Sequence, residues 1–273
     1  MTLADTVAEV DTAAAKAQLR REGFAIIPGV LGAAACADVR RRLWRAAEES
    51  ERRGAPTRNI GIDPNEHNVR VFGLLELDPV FVELIQHPLG IELVTSLLGP
   101  GFLISNFTAN IALPGSQSMH PHSDQSIVVP EPWLQPWSIN IIWCLTDVHA
   151  DNGATLYLPM SHQIGWAKDV PADPRAGMRP FEAPAGSIIA MDGRLWHTSG
   201  ANVTRDEERA LLFGYYSRDF IRPQTNWNAT LSPATIASLS PQMHAWLGLG
   251  PTANINLAAP LAIPRPAGQG TAP

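Results

Sequence analysis

Two imidazoles and a carboxylate lie close together in the segment Met119-His120-Pro121-His122-Ser123-Asp124-Gln125, and another histidine, His197, lies far downstream. His122 and Asp124 are two positions apart, so on an extended backbone their side chains point to the same side. Two histidines and one carboxylate with open coordination positions are the ligand set of non-haem Fe(II) oxygenases. The pattern therefore predicts a metal site formed by His122, Asp124 and His197.

Arg209 is the candidate anion anchor for such a site. It follows His197 in the chain and opens the apolar run Ala210–Tyr215. A planar guanidinium binds a carboxylate through two hydrogen bonds, which a lysine ammonium cannot match. Inside a barrel the pair is shielded from water and contributes more than a surface pair. We predict that Arg209 binds a carboxylate of a chelating co-substrate.

Three further polar residues are candidates for the same pocket. Asn140 lies in an apolar strand pattern, and a buried amide needs hydrogen-bond partners. Its partner is either the iron-side carboxylate of the co-substrate or a structural group of the protein. Thr155 and Ser199 are weaker candidates for contacts with the co-substrate. His120 is also two positions from His122, and we expect it to support the site or face the substrate rather than bind the metal.

The elements before residue 100 are predicted to be mainly helical. Apolar residues recur at helical spacing in three stretches, which are 5–22, 33–49 and 78–98, the last interrupted at His87-Pro88. Short strands are expected at 24–28 and 69–74. The polar segment 52–67 is predicted to be a loop, and its length makes it a candidate active-site flap.

After residue 100 the hydrophobic period changes towards two, as in β-strands. The strand candidates are separated by Gly, Pro and Asn turns and are 102–113, 137–145, 155–159, 187–191, 195–198 and 210–216. Many short strands indicate a sandwich or barrel. We predict a mainly β fold with flanking helices: a double-stranded β-helix, or cupin-like jelly roll, at about 102–220, with a helical N-terminal third.

The chain shows no break in composition that would divide it into two domains. We therefore expect one domain over residues 1–263, ending in a helix at 233–247 and followed by a flexible tail at 264–273.

Composition argues against several classes of partner. The formal net charge is -6 and the basic residues are scattered, which is unlike a nucleic-acid-binding protein. The two cysteines form no disulfide framework. The N-terminus lacks the apolar region of a signal peptide, and no uncharged apolar run reaches the ~18–20 residues of a membrane span. We expect a cytoplasmic protein whose partner is a small molecule; a homodimer is left open.

Taken together, these motifs resemble the phytanoyl-CoA dioxygenase family of Fe(II)/2-oxoglutarate oxygenases. The resemblance is carried by His122-x-Asp124, by His197 in a His-x-Ser-Gly-x-Asn context, and by Arg209. Two flanking segments, 78–100 and 147–162, are also similar to those of the family. The similar region covers roughly residues 22–220, and it departs from the family pattern at Met160, where glycine is usual.

The resemblance implies that iron binds the keto acid end of 2-oxoglutarate and that Arg209 holds its far carboxylate. Such enzymes use O2, release succinate and CO2, and commonly hydroxylate an unactivated carbon. Halogenating relatives lack the carboxylate ligand, so Asp124 predicts no halogenation. The segment Ser126–Trp133 resembles members that act on terpenoids or polyketides, and we expect a small apolar substrate. Desaturation, ring formation or epimerisation on the same iron stays open, as does a non-catalytic jelly roll that binds a ligand.

Overall fold

The computed structural model describes residues 10–249 of the chain. This part of the chain contains two antiparallel sheets. The strands are β1 (Phe24–Ile27), β2 (Asn68–Val71), β3 (Phe102–Ala112), β4 (Ser138–Cys144), β5 (Thr155–Tyr157), β6 (Arg179–Pro180), β7 (Ile188–Asp192), β8 (His197–Ser199) and β9 (Arg209–Arg218). The larger sheet has the order β1-β7-β4-β9-β3-β2, and the smaller one has the order β6-β5-β8.

Helices cover the N-terminal third, as predicted, and return after the last strand. They are α1 (Thr12–Glu22), α2 (Ala33–Arg52), α3 (Leu74–Leu77), α4 (Pro79–Ile85), α5 (Pro88–Leu98), α6 (Trp227–Thr230), α7 (Pro233–Ser238) and α8 (Pro241–Trp246). The helix predicted at 5–22 begins at Thr12, because the Asp11 side chain caps it by accepting from the Ala14 N–H. Residues 5–9 and the predicted tail at 264–273 lie outside the described residues.

The single helix predicted at 233–247 is wrong. It is divided into α7 and α8 at Ser240-Pro241, because proline disfavours a helical residue before it and cannot donate a backbone hydrogen bond. The Ser240 side chain instead accepts from the Met243 N–H and starts α8.

The larger sheet is buried on both faces, and this alternation positions the site. On β4, Ile141 and Trp143 pack into the core shared with the helices. Ile142 and Cys144 point to the other face and pack into a second core, which includes Phe181 directly after β6. Asn140 shares the second face by alternation, as predicted. Polar side chains on this face are therefore enclosed between the two sheets.

Met160, which stands where the family usually has glycine, keeps the turn that glycine would make. It adopts φ 60° and ψ 5°, and it is the one non-glycine residue with positive φ in the described part of the chain. That conformation costs roughly 1–2 kcal/mol for an L-residue. The turn is thus retained at the cost of local backbone strain at Met160.

Among residues 10–249, no single helix is long and apolar enough to cross a membrane. The bent pair α4 and α5 meets the criteria of length and composition when taken together, with an angle of 43° between the two helices.

Candidate active site

His122, Asp124 and His197 converge at one point between the sheets. Asp124 Oδ1 lies 3.8 Å from His122 Nε2 and 3.8 Å from His197 Nε2. All three ligand atoms lie within 4.8 Å of one another. Metal–ligand bonds of about 2.0–2.2 Å require ligand atoms within roughly 4.4 Å, so a small movement of the side chains lets one ion touch all three.

Backbone pairing between distant segments brings these residues together. His122 and His197 form an isolated antiparallel bridge, in which each N–H donates to the other's carbonyl at 2.9 and 2.8 Å. The extended backbone considered for His122 and Asp124 does not continue through Asp124, which opens a 3-10 helix over Asp124–Ile127. The backbone N–H of Gln125 donates to the Gly193 carbonyl and holds the start of this helix beside β7.

The orientation of both imidazoles suits metal binding. His122 Nδ1 lies 3.0 Å from the His120 carbonyl, and His197 Nδ1 lies 2.9 Å from the Leu195 carbonyl. A ring nitrogen that donates to a carbonyl leaves Nε2 as the lone-pair donor. Burial lowers the pKa of His197, which favours the neutral ring that a metal requires. The donor set therefore fits a ferrous ion.

Asn140 supports the carboxylate of the triad. Its Nδ2 donates to Asp124 Oδ2 at 2.5 Å, while Asp124 Oδ1 faces the two histidines. The Tyr215 hydroxyl also donates to the Asp124 backbone carbonyl at 3.3 Å. Of the two partners left open for Asn140, the structure shows the protein group; a contact between its second N–H and the co-substrate stays a prediction.

Replacing Asn140 with leucine is expected to weaken Fe(II) binding about 10–100-fold, because partners that orient a metal ligand contribute on this scale. Anaerobic titration calorimetry measures the affinity. The matched control is Asn106→Leu, an asparagine of the same cavity whose side chain bonds to Gln224 and Thr225 rather than to Asp124. Equal affinities in the two variants would show that Asn140 does not orient Asp124.

The Arg209 side chain is buried and lines the same cavity. It is 1% exposed, and its Nε and Nη1 donate to the carbonyls of Gly153 and Asn110 at 2.9 and 3.1 Å. A guanidinium has five N–H groups, so these bonds fix its plane and leave donors for a ligand carboxylate. Burial, and then the charge of Arg70, lower the pKa of Arg209 to about 10, and the side chain stays protonated at pH 7.

Arg70 and Asp63 belong to this site and were missed in the sequence. Arg70 lines the cavity and binds Asp63 through two hydrogen bonds of 2.8 and 2.6 Å. Asp63 comes from the predicted loop 52–67 and is only 2% exposed. An arginine within a predicted strand is normally interpreted as a surface residue. The sequence feature that could have identified Arg70 is its position between Val69 and Val71, on the face opposite to theirs. The loop thus contributes a buried charge to the site.

Asp63→Ala is expected to reduce the free energy of unfolding by about 3 kcal/mol, because it leaves the Arg70 guanidinium without its partner beside Arg209. Urea unfolding measures the loss. The control is Asp38→Ala, which breaks pairs with the more exposed Arg41 and Arg42 and should cost at most about 1 kcal/mol. A loss of the control's size for Asp63→Ala would contradict the expectation.

The three predicted metal ligands, Asn140, Arg70 and Arg209 line one cavity of about 190 Å³. Its walls are formed by Arg70, Asn106, Thr108, Asn110, Met119, His122, Asp124, Asn140, Thr155, His197, Ser199, Arg209, Phe213, Tyr215 and Gln224. Every predicted site residue is in this set, including Thr155 and Ser199, which face each other across β5 and β8. His120 is exposed, and its backbone carbonyl contacts His122 Nδ1; a role for its imidazole stays a prediction.

Comparison with known proteins finds similar sequences over most of the chain. A family model described as phytanoyl-CoA dioxygenase (PhyH) matches residues 19–210. Dioxygenase af480 of Aspergillus fumigatus is 51% identical over 235 residues, which are 86% of this chain and 76% of that protein.

Solved structures show the same fold. The non-haem α-ketoglutarate-dependent carbocyclase SnoK from nogalamycin biosynthesis aligns with a TM-score of 0.63 at 19% identity, over 88% of this chain and 94% of that one. The epimerase SnoN from the same biosynthesis aligns with a TM-score of 0.58 at 20% identity, over 79% and 86% of the two chains. These likenesses confirm the predicted jelly roll.

Proposed function

Because this chain belongs to the phytanoyl-CoA dioxygenase family and is an Fe(II)- and 2-oxoglutarate-dependent oxygenase, we propose that it hydroxylates a small, mostly apolar metabolite in terpenoid or polyketide biosynthesis. The observation that carries the proposal is the convergence of His122, Asp124 and His197 on a cavity that also holds the buried Arg209. We assign the three residues as the iron ligands and Arg209 as the anchor of the co-substrate.

Charge balance in the cavity supports this assignment. The guanidiniums of Arg70 and Arg209 offset the carboxylates of Asp63 and Asp124. A divalent ion and a dianionic co-substrate then offset each other, so that the loaded site holds no uncompensated charge. An unpaired charge in so enclosed a place would be costly.

The residues of this chain position the reactants. When bound with O2, iron and 2-oxoglutarate supply an oxidant for an unactivated C–H bond and release succinate and CO2. Asn140 and Tyr215 hold Asp124 in place, so that one carboxylate oxygen faces the two histidines and would be available to a metal ion. Arg209 would hold the far carboxylate of 2-oxoglutarate by its oriented N–H groups. The sheets on either side limit the access of water to the reacting atoms.

Exposed hydrophobic residues in the segment after Asp124 support the choice of substrate. Ile127, Val129 and Leu134 are 58%, 77% and 69% exposed. The exposed Trp166 lies on the segment paired with this one, because the backbone N–H of Trp133 donates to the Gly165 carbonyl. We infer that these residues form a contact surface for a hydrocarbon skeleton.

A second outcome on the same iron is favoured by the solved relatives. One is named a carbocyclase and another an epimerase, although both belong to the same fold. The position of one C–H bond relative to the oxidant decides between hydroxylation, desaturation, ring formation and epimerisation. A non-catalytic ligand-binding jelly roll is disfavoured, because such a protein has no need of the complete triad and Arg209.

Turnover with a panel of terpenoids and polyketides tests the proposal. Succinate release should rise with one or more of them and should match the consumption of that compound, and mass spectrometry should show one added oxygen. Loss of two hydrogens would identify desaturation or ring closure, and an unchanged mass with altered retention would identify epimerisation. If no compound stimulates succinate release above that of the His122→Ala protein, the proposed substrate class is wrong.

A further inference from the structure

The cavity has a second polar end, away from the guanidinium of Arg209. Arg209 Nη1 donates to the Asn110 carbonyl, whereas Asn106, four residues away on β3, pairs with Tyr215. Four residue steps of about 3.3 Å place Asn106 roughly 13 Å from the level of that carbonyl. Asn140, which holds Asp124, pairs with the same Tyr215, so Asn106 lies at the level of the metal ligands. A substrate has to approach the metal for reaction, and Asn106 is placed to contact it there.

Asn106 and Gln224 form an amide pair at this end. Asn106 Nδ2 donates to Gln224 Oε1 at 3.2 Å, and the Thr225 hydroxyl donates to Asn106 Oδ1 at 3.1 Å. Backbone bonds tie the segment after β9 to β3, since the N–H groups of Gln224 and Thr225 donate to Ser105 Oγ and the Ser105 carbonyl at 3.0 and 2.9 Å. This segment thus holds Gln224 over the cavity.

The wall beside Asn106 is aromatic. Phe213 and Tyr215 line the cavity from β9, next to Thr108 and Asn106 of β3. At the same edge Trp137 contacts Phe220 edge to face, with ring centroids 5.9 Å apart. A molecule here meets aromatic rings and neutral amide and hydroxyl groups side by side.

We propose that Asn106 and Gln224 form a substrate-orienting subsite that selects a neutral oxygenated molecule, with a hydroxyl or carbonyl group on a largely hydrocarbon skeleton. This inference rests on the proposed function and narrows its substrate class. Amides both donate and accept, so they bind either kind of oxygen. Within residues 10–249, the Nε2 group of Gln224 donates no hydrogen bond to another protein group.

The same geometry discriminates against two related classes. A hydrocarbon without oxygen covers the Nε2 group of Gln224 without accepting its hydrogen bond, which is expected to weaken binding about 10–100-fold. A carboxylate brings a charge to amide, hydroxyl and aromatic side chains, none of which can form an ion pair with it. The basic residues that line the cavity, Arg70 and Arg209, belong to the co-substrate end.

Binding of matched isoprenoids to the anaerobic protein loaded with Fe(II) and 2-oxoglutarate tests the subsite. The probes are geraniol, farnesol and geranylgeraniol, each with its carboxylic acid and its parent hydrocarbon. The weak visible band of the loaded protein reports their binding without turnover. At least one alcohol should bind at least about tenfold more tightly than its acid and its hydrocarbon.

Variants separate the subsite from the co-substrate site. Gln224→Leu and Asn106→Leu should abolish the preference for the alcohol and leave the visible band unchanged before any isoprenoid is added. Gln224→Arg should gain affinity for the carboxylic acid, a gain that misfolding cannot produce. Gln163→Leu, at an exposed glutamine outside the cavity, should behave as the unaltered protein.

Two results would overturn the subsite: no alcohol binds more tightly than its acid and hydrocarbon, or the preference persists in both leucine variants. Failure of the proposed function has a different signature, because the unaltered protein would then show no band with Fe(II) and 2-oxoglutarate alone.

Discussion

His197→Ala is expected to reduce Fe(II) affinity by more than about 100-fold and to bring succinate release to background. Partners that only orient a ligand contribute about 10–100-fold to metal affinity, so loss of a ligand itself should cost more. His197 is also the least exposed of the three, with a side chain 10% exposed against 41% for His122. Water therefore replaces its imidazole less readily than it would at His122.

The measurement is anaerobic titration of Fe(II) in the presence of 2-oxoglutarate, read from the visible band, followed by a succinate assay in air. His120→Ala is the matched control, because its exposed imidazole lies outside the triad and only its carbonyl contacts His122. It should retain metal affinity within a few-fold. A His197→Ala protein that binds Fe(II) as the unaltered protein does would refute the assignment of His197 as a ligand.

Much of the site could be predicted from the sequence because its key residues stand in short, characteristic patterns. His122-x-Asp124 and the His197 segment carry enough local information to be recognised, and Arg209 begins an apolar strand. The prediction that Asn140 faces the interior followed from strand alternation and agrees with the structure. Residue type and period were sufficient for these positions.

Other features depend on tertiary contacts that no local pattern encodes. Asp63 lies in a loop rich in polar residues, and only its approach to Arg70 makes it a buried partner. A 3-10 helix at Asp124 replaces the extended backbone suggested by the spacing of His122 and Asp124, because pairing with Gly193 turns the chain after the His122 bridge. Gln224 reaches the cavity only through bonds to Ser105, far away in the sequence.

Arg209→Leu is expected to weaken 2-oxoglutarate binding by about 100-fold or more while leaving Fe(II) affinity almost unchanged. Removing one partner of a buried, hydrogen-bonded charge pair costs about 2–5 kcal/mol, and each 1.4 kcal/mol is a tenfold change in affinity. Arg209 is held by the carbonyls of Gly153 and Asn110, so its guanidinium is oriented before the ligand arrives. The expected effect appears as a raised KM for 2-oxoglutarate.

Because burial lowers the pKa of Arg209 only to about 10, the guanidinium keeps its charge throughout neutral pH, and the loss in Arg209→Leu should be independent of pH between about 6 and 8. Arg209→Lys should recover part of the affinity, since it restores the charge without the paired geometry. Arg20→Leu, at an exposed arginine of α1, controls for the loss of charge alone. A folded Arg209→Leu protein with unaltered 2-oxoglutarate affinity would place the anchor elsewhere, and Arg70, which faces the same cavity, would be the next residue to replace.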